Sequence, residues 1–337
     1  MSDRVVAVAG ATGVVGQTMV SVLEGRGFPL GGLRLLASER SAGKRVETKW
    51  GEIEVEDLAT ADPSGIDIAL FSAGGDRSRD HAPRFASAGA VVVDNSSAFR
   101  MDPDVPLIVA GVNDEAVSGH RGIIANPNCT TMALMMAAGP LHRHAVLRSM
   151  VATSYQSVSG SGQQGVTELL GQVDRLRPDV QRMMEGGWDD PGSHIYARPI
   201  GFNVLPFAGH ETELGYTDEE WKLVNESRKI LDAPDLLVEP TCVRVPTLVG
   251  HGIAATMRFD GSITPAEAIE ALVAAPGVEV WTDKIPTPLD SAGLDDVLVG
   301  RVRATVGEPG GLNLWVVGDN LRKGAALNAV QIAELLI

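Results

Sequence analysis

The sequence predicts an α/β protein of two domains, the first built around a parallel sheet. Three observations lead there. The chain opens on an apolar run, residues 4–9, that passes through a glycine-rich turn into a helical pattern. Further short apolar runs at 33–37, 66–71 and 90–93 end in small polar residues, as strands buried on both faces of a parallel sheet do. The 337 residues are enough for two domains, each with a core of its own.

The turn after the first strand reads Gly10-Ala11-Thr12-Gly13-Val14-Val15-Gly16, and a helical pattern follows over 17–23. A glycine-rich turn between strand and helix lets the backbone approach a pyrophosphate at a helix N-terminus. The spacing is G-x-x-G-x-x-G rather than G-x-G-x-x-G, so its place at the start of a βα unit carries the argument. A tight turn with no ligand is the alternative. The second strand, 33–37, runs into Ser38-Glu39-Arg40-Ser41-Ala42-Gly43-Lys44. An acid here would hold a ribose 2′-hydroxyl, and Glu39 is the one candidate. Arg40, Ser41 and Lys44 surround it, and a guanidinium with hydroxyls suits a 2′-phosphate. That favours NADP over NAD; a solvated basic turn is the alternative. Strand 66–71 closes on Ser72-Ala73-Gly74-Gly75 and strand 90–93 on Asp94-Asn95-Ser96-Ser97, with a helix over 77–87 between them. Such loops line the cofactor crevice of open α/β sheets. Arg100, alone in the next loop, reads as a surface residue.

Asn126-Pro127-Asn128-Cys129-Thr130-Thr131 lies between a strand-like run, 122–125, and a helical run, 131–138. Cys129 is therefore expected at a helix N-terminus, where the macrodipole favours a thiolate. A thiolate there can attack a carbonyl, and the free N–H groups can hold the resulting oxyanion. A buried, inert cysteine is the alternative. Beyond it, strand 149–155 runs into Gln156-Ser157-Val158-Ser159-Gly160-Ser161-Gly162, read as a loop with little packing function that exposes backbone donors. Residues 176–197 look irregular. Thr217 is an expected N-cap, with Glu220 three places on, for a helix to about 231. Glu219 and Lys222 share a face of it. Strand 236–245 carries Arg244, and a loop carries His251, a proton-transfer group for the thiol. Runs 253–259 and 312–317 read as strands, the second ending at Gly318-Asp319-Asn320. A helix over 321–336 is expected to pack back on the first domain.

Composition narrows the function. A formal charge of −15 argues against nucleic acid, which demands a basic face. No apolar run approaches the roughly 20 residues of a membrane span. The first strand begins so early that no leader is expected, and a cytoplasmic location is. Two cysteines, Cys129 and Cys242, are too few for a disulfide framework, and no Cys/His cluster has zinc-ligand spacing. No metal is expected.

Taken together, residues 10–16, 40–44, 96–100, 126–131, 155–162, 217–222, 244–251 and 319–331 resemble the bacterial aspartate-β-semialdehyde dehydrogenase family. The resemblance implies a Rossmann-type dinucleotide-binding domain over 1–128, completed by 321–337. It implies an α+β catalytic and dimerisation domain over 129–320, like that of glyceraldehyde-3-phosphate dehydrogenase. The implied reaction is reduction of L-β-aspartyl phosphate by NADPH to L-aspartate-β-semialdehyde and phosphate. Cys129 would be the nucleophile, His251 the acid/base and Gln156 a substrate-orienting group. Arg244 would take the substrate α-carboxylate and Glu219 its ammonium. Arg100, Lys222 and Asn128 would meet the phosphate. The dinucleotide would lie against Gly10, Thr12, Gly13, Val14, Val15, Gly16, Ser38, Arg40, Ser41, Ser72, Ala73, Gly74, Ser159, Gly160 and Asn320. The partners implied are the small-molecule substrate and a second copy in a homodimer, or a tetramer. Three departures stand out: Gly252 where the family commonly has Ser after Gly-His, Gly111 where it usually has Glu, and the segment 207–214. Two rival readings remain: an N-acetyl-glutamyl-phosphate reductase, whose substrate has no ammonium for Glu219, and a silent NADP-binding subunit.

Overall fold

Short strands rich in Val, Leu and Ala alternate with helices from the first described residue. The computed structural model describes residues 4–337. They fall into two units: the chain through Gly139 with Asn225–Pro234 and Leu321–Ile337, and Pro140–Val224 with Asp235–Asn320.

In the first unit β1 (Arg4–Ala9) leads into α1 (Val14–Arg26), β2 (Leu30–Ala37), β3 (Arg45–Thr48) and β4 (Gly51–Asp57). Then follow β5 (Ile68–Phe71), α2 (Gly75–Ser87), β6 (Val91–Asp94), β7 (Ile123–Ala125) and the start of α3 (Cys129–His144). The sheet order is β3-β4-β2-β1-β5-β6-β7, parallel except for the β3–β4 hairpin. That hairpin, read as neither strand nor turn from sequence, is strongly charged and half exposed. The chain leaves β1 toward β2 on one side and returns to β5 on the other, so the order reverses at β1/β5. Ligands bind at such a switch point, beyond the carboxyl ends of the strands.

The second unit holds β8 (Leu147–Gln156), α4 (Gly162–Leu176), α5 (Val180–Met184) and the first turns of α6 (Asp218–Ile230). It continues with β9 (Leu237–Arg244), β10 (His251–Phe259), α7 (Pro265–Val273), β11 (Val278–Trp281), β12 (Val297–Ala304) and β13 (Leu312–Gly318). Its sheet order is β11-β12-β13-β10-β8-β9. β8 and β9 run parallel, whereas β10 is antiparallel to both β8 and β13. The carboxyl ends of β8, β9 and β13 and the start of β10 therefore share one edge of this sheet. His251 is the first residue of β10, not part of a loop as its surroundings suggested. Helix α4 was also not expected; it buries Gly165, Leu169, Gln172 and Leu176, a helical spacing.

The C-terminal segment closes the first unit. A π-turn, Arg322–Ala326, precedes α8 (Leu327–Glu334). Leu327, Val330, Ile332 and Ala333 join Val20 and Leu23 of α1 in one core cluster. Lys323, 2 % exposed, donates from Nζ to Ala110 O (2.8 Å), Asn328 Oδ1 (3.0 Å) and Gln331 Oε1 (2.7 Å). Asn328 in turn donates to Asn126 Oδ1 at 2.6 Å, so the last helix reaches the turn before Cys129.

Candidate active site

The glycine-rich turn meets the far side of the switch point closely. A Cβ on Gly10 (φ +86°) would lie 2.2 Å from Ser72 O, and one on Gly16 would lie 2.2 Å from Gly10 O. Backbone here packs on backbone, and any side chain would fill the cradle. Helices α1 and α2 have glycines, Gly13 and Gly74, at their N-cap positions and so no side-chain cap, which leaves their first N–H groups for other acceptors. Ser72, Ala73 and Gly74 thus lie beside Gly10, Gly13 and Gly16, with Thr12, Val14 and Val15 in the same turn. Thr12 Oγ1 is 3.5 Å from Ser41 Oγ, which ties the turn to the Ser38–Arg40–Ser41 stretch at the end of β2. Arg40 there is exposed. This donor set fits a dinucleotide with its pyrophosphate at the glycine turn and its ribose near 38–41. Asp94, at the end of β6, is buried, which pushes its carboxyl up, against the hydroxyls of Ser78 and Ser96 that bond it.

Cys129 begins α3, as its sequence setting predicts, and is partly exposed. Two of the N–H groups expected to hold an oxyanion are used otherwise. Asn128 Oδ1 accepts from Thr130 N (2.9 Å) and Thr131 N (3.4 Å), because Asn is itself a strong N-cap. Arg100 is not a surface residue: it is 8 % exposed. Its Nε donates to Asn126 O at 2.9 Å and its Nη2 to Asn95 O at 3.0 Å. Its Nη1 donates to Glu226 Oε1 at 2.9 Å. The second oxygen of Glu226 accepts the Asn128 N–H at 2.7 Å. Sequence reasoning missed Glu226; its signal was a third charged position on the α6 face of Glu219 and Lys222, four residues beyond the lysine.

At the shared edge of the second sheet, register sets Gln156 beside Arg244, with His251 opening the neighbouring strand. Gln156 is buried and donates to Ser154 Oγ at 3.1 Å. Arg244 Nη1 donates to Ser157 O at 2.9 Å, and its guanidinium lies over the Tyr196 ring. Its buried Nε has no acceptor among the described residues. A Cβ on Gly160 would lie 3.2 Å from Arg244 Nη1 and 3.4 Å from His251 Nε2, so both side chains face the same spot and only glycine leaves it open. Burial and then the Arg244 charge push His251 down to about 3, against a smaller opposite effect of the Gly250 carbonyl. The Ser157 N–H donates to His251 Nδ1 at 3.1 Å. An Nδ1 that accepts leaves the ring proton of a neutral imidazole on Nε2.

The Ser/Gly stretch after β8 is ordered and packed, contrary to its reading as an open loop. Val158, Ser157 and Ser159 are buried, and Asn320 holds them. Its Oδ1 accepts from Gly250 N (2.9 Å), Ser157 Oγ (3.1 Å) and Ser159 Oγ (3.2 Å). Ser159, Gly160 and Asn320 are thereby brought together with His251. On α6, Thr217 and Glu220 form the expected capping box, 2.8 and 3.3 Å, and Glu220 also accepts the Cys242 N–H at 2.9 Å. Lys222 Nζ bonds Glu219 (2.5 Å) and Asp218 (2.8 Å). Burial works against its ammonium, but the two carboxylates outweigh it and hold its pKa above the ordinary range. Burial pushes the Cys242 thiol up to about 12. Neither cysteine is joined in a disulfide. No cluster of three metal-ligating side chains occurs among the described residues, and no helix there is long and apolar enough to cross a membrane.

Two of the departures have local causes. Gly252 faces the Trp315 indole, whose Cη2 and Cζ2 lie 2.4 Å from where a Cβ would be. Gly111 sits at φ +89° and donates its N–H to Asp114 at 2.6 Å, a conformation that a glutamate would strain.

Comparison with known proteins bears on both units. Residues 5–120 match the family model described as semialdehyde dehydrogenase, NAD binding domain. Residues 139–323 match the one described as semialdehyde dehydrogenase, dimerisation domain. The chain is 53% identical over 341 residues to an aspartate-semialdehyde dehydrogenase of Mycolicibacterium smegmatis, covering 98% of each. It is 44% identical to one from Synechocystis, covering 98% of this chain and 97% of that protein. A crystal structure of aspartate semialdehyde dehydrogenase II from Vibrio cholerae, complexed with ASA, superposes with a TM-score of 0.93 at 43% identity. It covers 100% of this chain and 98% of that one.

Proposed function

This chain belongs to the aspartate-semialdehyde dehydrogenase family, and from that premise we propose that it reduces L-β-aspartyl phosphate to L-aspartate-β-semialdehyde with NADPH, on the aspartate pathway to lysine, methionine and threonine. The observation that carries the reading is the Arg244–His251 pair at Gly160: a buried guanidinium whose Nε lacks an acceptor, beside an imidazole held neutral. A donor buried without a partner costs free energy, and a substrate carboxylate would supply the partner.

Each residue then has a task. Arg244 binds the α-carboxylate and fixes its orientation. Glu219 takes the ammonium, which requires it to share or release Lys222. Lys222 and Arg100 meet the phosphate, with Asn128 beside it, and Gln156 orients the acyl group. The Cys129 thiolate attacks the acyl carbon, the C–O bond to phosphate breaks, and a thioester remains on sulfur. NADPH, when bound, supplies the hydride that reduces this carbon. His251 donates an Nε2–H hydrogen bond to the oxyanion that develops on this carbon, and as the oxyanion collapses the C–S bond breaks, the aldehyde leaves and the Cys129 thiolate is regenerated. Arg40, Ser38 and Ser41 would hold the 2′-phosphate that distinguishes NADP, and the glycine turn the pyrophosphate. Residues 1–128 with 321–337 are assigned to cofactor binding and 129–320 to catalysis and dimerisation, with a homodimer in the cytoplasm as the working form.

A steady-state assay with L-aspartate-β-semialdehyde, phosphate and each nicotinamide cofactor tests the reading. Phosphate-dependent reduction of NADP, in preference to NAD, is expected, as is its loss in Cys129→Ala. Turnover of the N-acetyl-glutamyl aldehyde in place of this one, or wild-type turnover in Cys129→Ala, would overturn it.

A further inference from the structure

We propose that Glu226 is a positioning residue that weakens the phosphate anchor at Arg100 so that product phosphate can leave. The proposal rests on Arg100 being a phosphate contact, as read above. Glu226 is 1 % exposed. Its Oε1 pairs with Arg100 Nη1 at 2.9 Å, while its Oε2 takes the Asn128 N–H, one residue before Cys129, at 2.7 Å.

The guanidinium does not depend on Glu226 for its place. Two main-chain carbonyls, Asn126 O and Asn95 O, hold it through Nε and Nη2. Lys229, on the same helix as Glu226, fixes the Arg100 loop by donating to Arg100 O (2.8 Å), Asp102 O (2.7 Å) and Val105 O (2.8 Å). What Glu226 adds is charge. Three of the five guanidinium N–H groups are bonded, leaving one on Nη1 and one on Nη2 for an anion. The carboxylate beside them offsets most of the attraction a phosphate would feel. An anchor with a built-in counter-ion orients phosphate through hydrogen bonds without binding it tightly. The same carboxylate fixes the peptide next to the nucleophile, so anchor and thiol keep one spacing.

The test is the KM for inorganic phosphate in semialdehyde oxidation with NADP, using the whole chain and the variants Glu226→Gln, Glu226→Asp and Arg100→Lys. Glu226→Gln removes the counter-charge and is expected to lower the phosphate KM roughly tenfold or more, tenfold being the effect of one charge about 6 Å away at an effective dielectric of about 40. Glu226→Asp, a methylene short of both donors, should lower it less, in the same direction. Arg100→Lys should raise it, and the double variant Arg100→Lys with Glu226→Gln should lose the lowering. A site that Glu226 merely holds together would instead show a raised phosphate KM in Glu226→Gln. A raised or unchanged KM there, with Arg100→Lys raising it, overturns this proposal alone. An unchanged KM in Arg100→Lys overturns the Arg100 reading and the proposal with it. Should Glu226→Gln fail to fold, Glu226→Asp decides on the same criterion.

Discussion

The charge state of His251 is the most exposed consequence of the geometry. An imidazole that ordinarily titrates at 6.5 is pushed to about 3 by complete burial and by the Arg244 guanidinium. The Ser157 N–H aimed at Nδ1 opposes a proton there as well. The gap between the two values corresponds to about 5 kcal/mol. Above pH 6.5 the ring is neutral folded and unfolded, so it adds no pH dependence. As pH falls from 6.5 toward 3, the unfolded chain takes up a proton that the folded chain refuses. Stability therefore drops by about 1.4 kcal/mol per pH unit from this group alone. Ring-selective ¹⁵N NMR should show His251 as the neutral Nε2–H tautomer from pH 8 down to pH 5. Urea unfolding over the same range should lose this slope in His251→Asn. Arg244→Gln should move the titration upward by removing the nearby charge. An imidazolium signal for His251 near pH 6, or an Nδ1–H tautomer, would refute the reasoning and its assignment as an Nε2–H donor.

Three further outcomes are expected. A thiol reagent should modify one cysteine of the native chain and two in denaturant, because Cys129 is partly exposed whereas Cys242 is buried with its thiol pushed up to about 12; mass mapping identifies which. Gly252→Ser should destabilise by about 1–3 kcal/mol in chemical unfolding, since its Cβ would overlap the Trp315 indole and one of them must shift. Lys323→Met should cost about 3 kcal/mol or more by the same measurement, because it strands the two buried acceptors, Ala110 O and Asn328 Oδ1, and the half-buried Gln331 Oε1 that Nζ serves.

Much of the first sheet was legible because its strands are buried on both faces and read as unbroken apolar runs. The β3–β4 hairpin was not: its residues are charged on both faces of an edge, where no hydrophobic period survives. The capping box at Thr217 could be read directly, since its two partners are three residues apart. Arg100 was misread because its counter-ion lies 126 residues away, and no local pattern reports a partner at that distance. The Ser/Gly stretch 157–161 looked loose for the same reason: Asn320, which orders it, arrives from the end of the last strand. Cys129 was placed at the correct helix end, but the same asparagine that marks the turn also takes two of the amides thought to be available.

The account stands on one sulfur carrying the acyl group. The direct measurement is mass spectrometry of the enzyme mixed with L-β-aspartyl phosphate in the absence of any nicotinamide cofactor, quenched in acid and digested. An aspartyl group on the peptide that holds Cys129, absent in Cys129→Ala and discharged when NADPH is added before the quench, is predicted. Phosphate release with no such adduct, or an adduct that persists in Cys129→Ala, would contradict it.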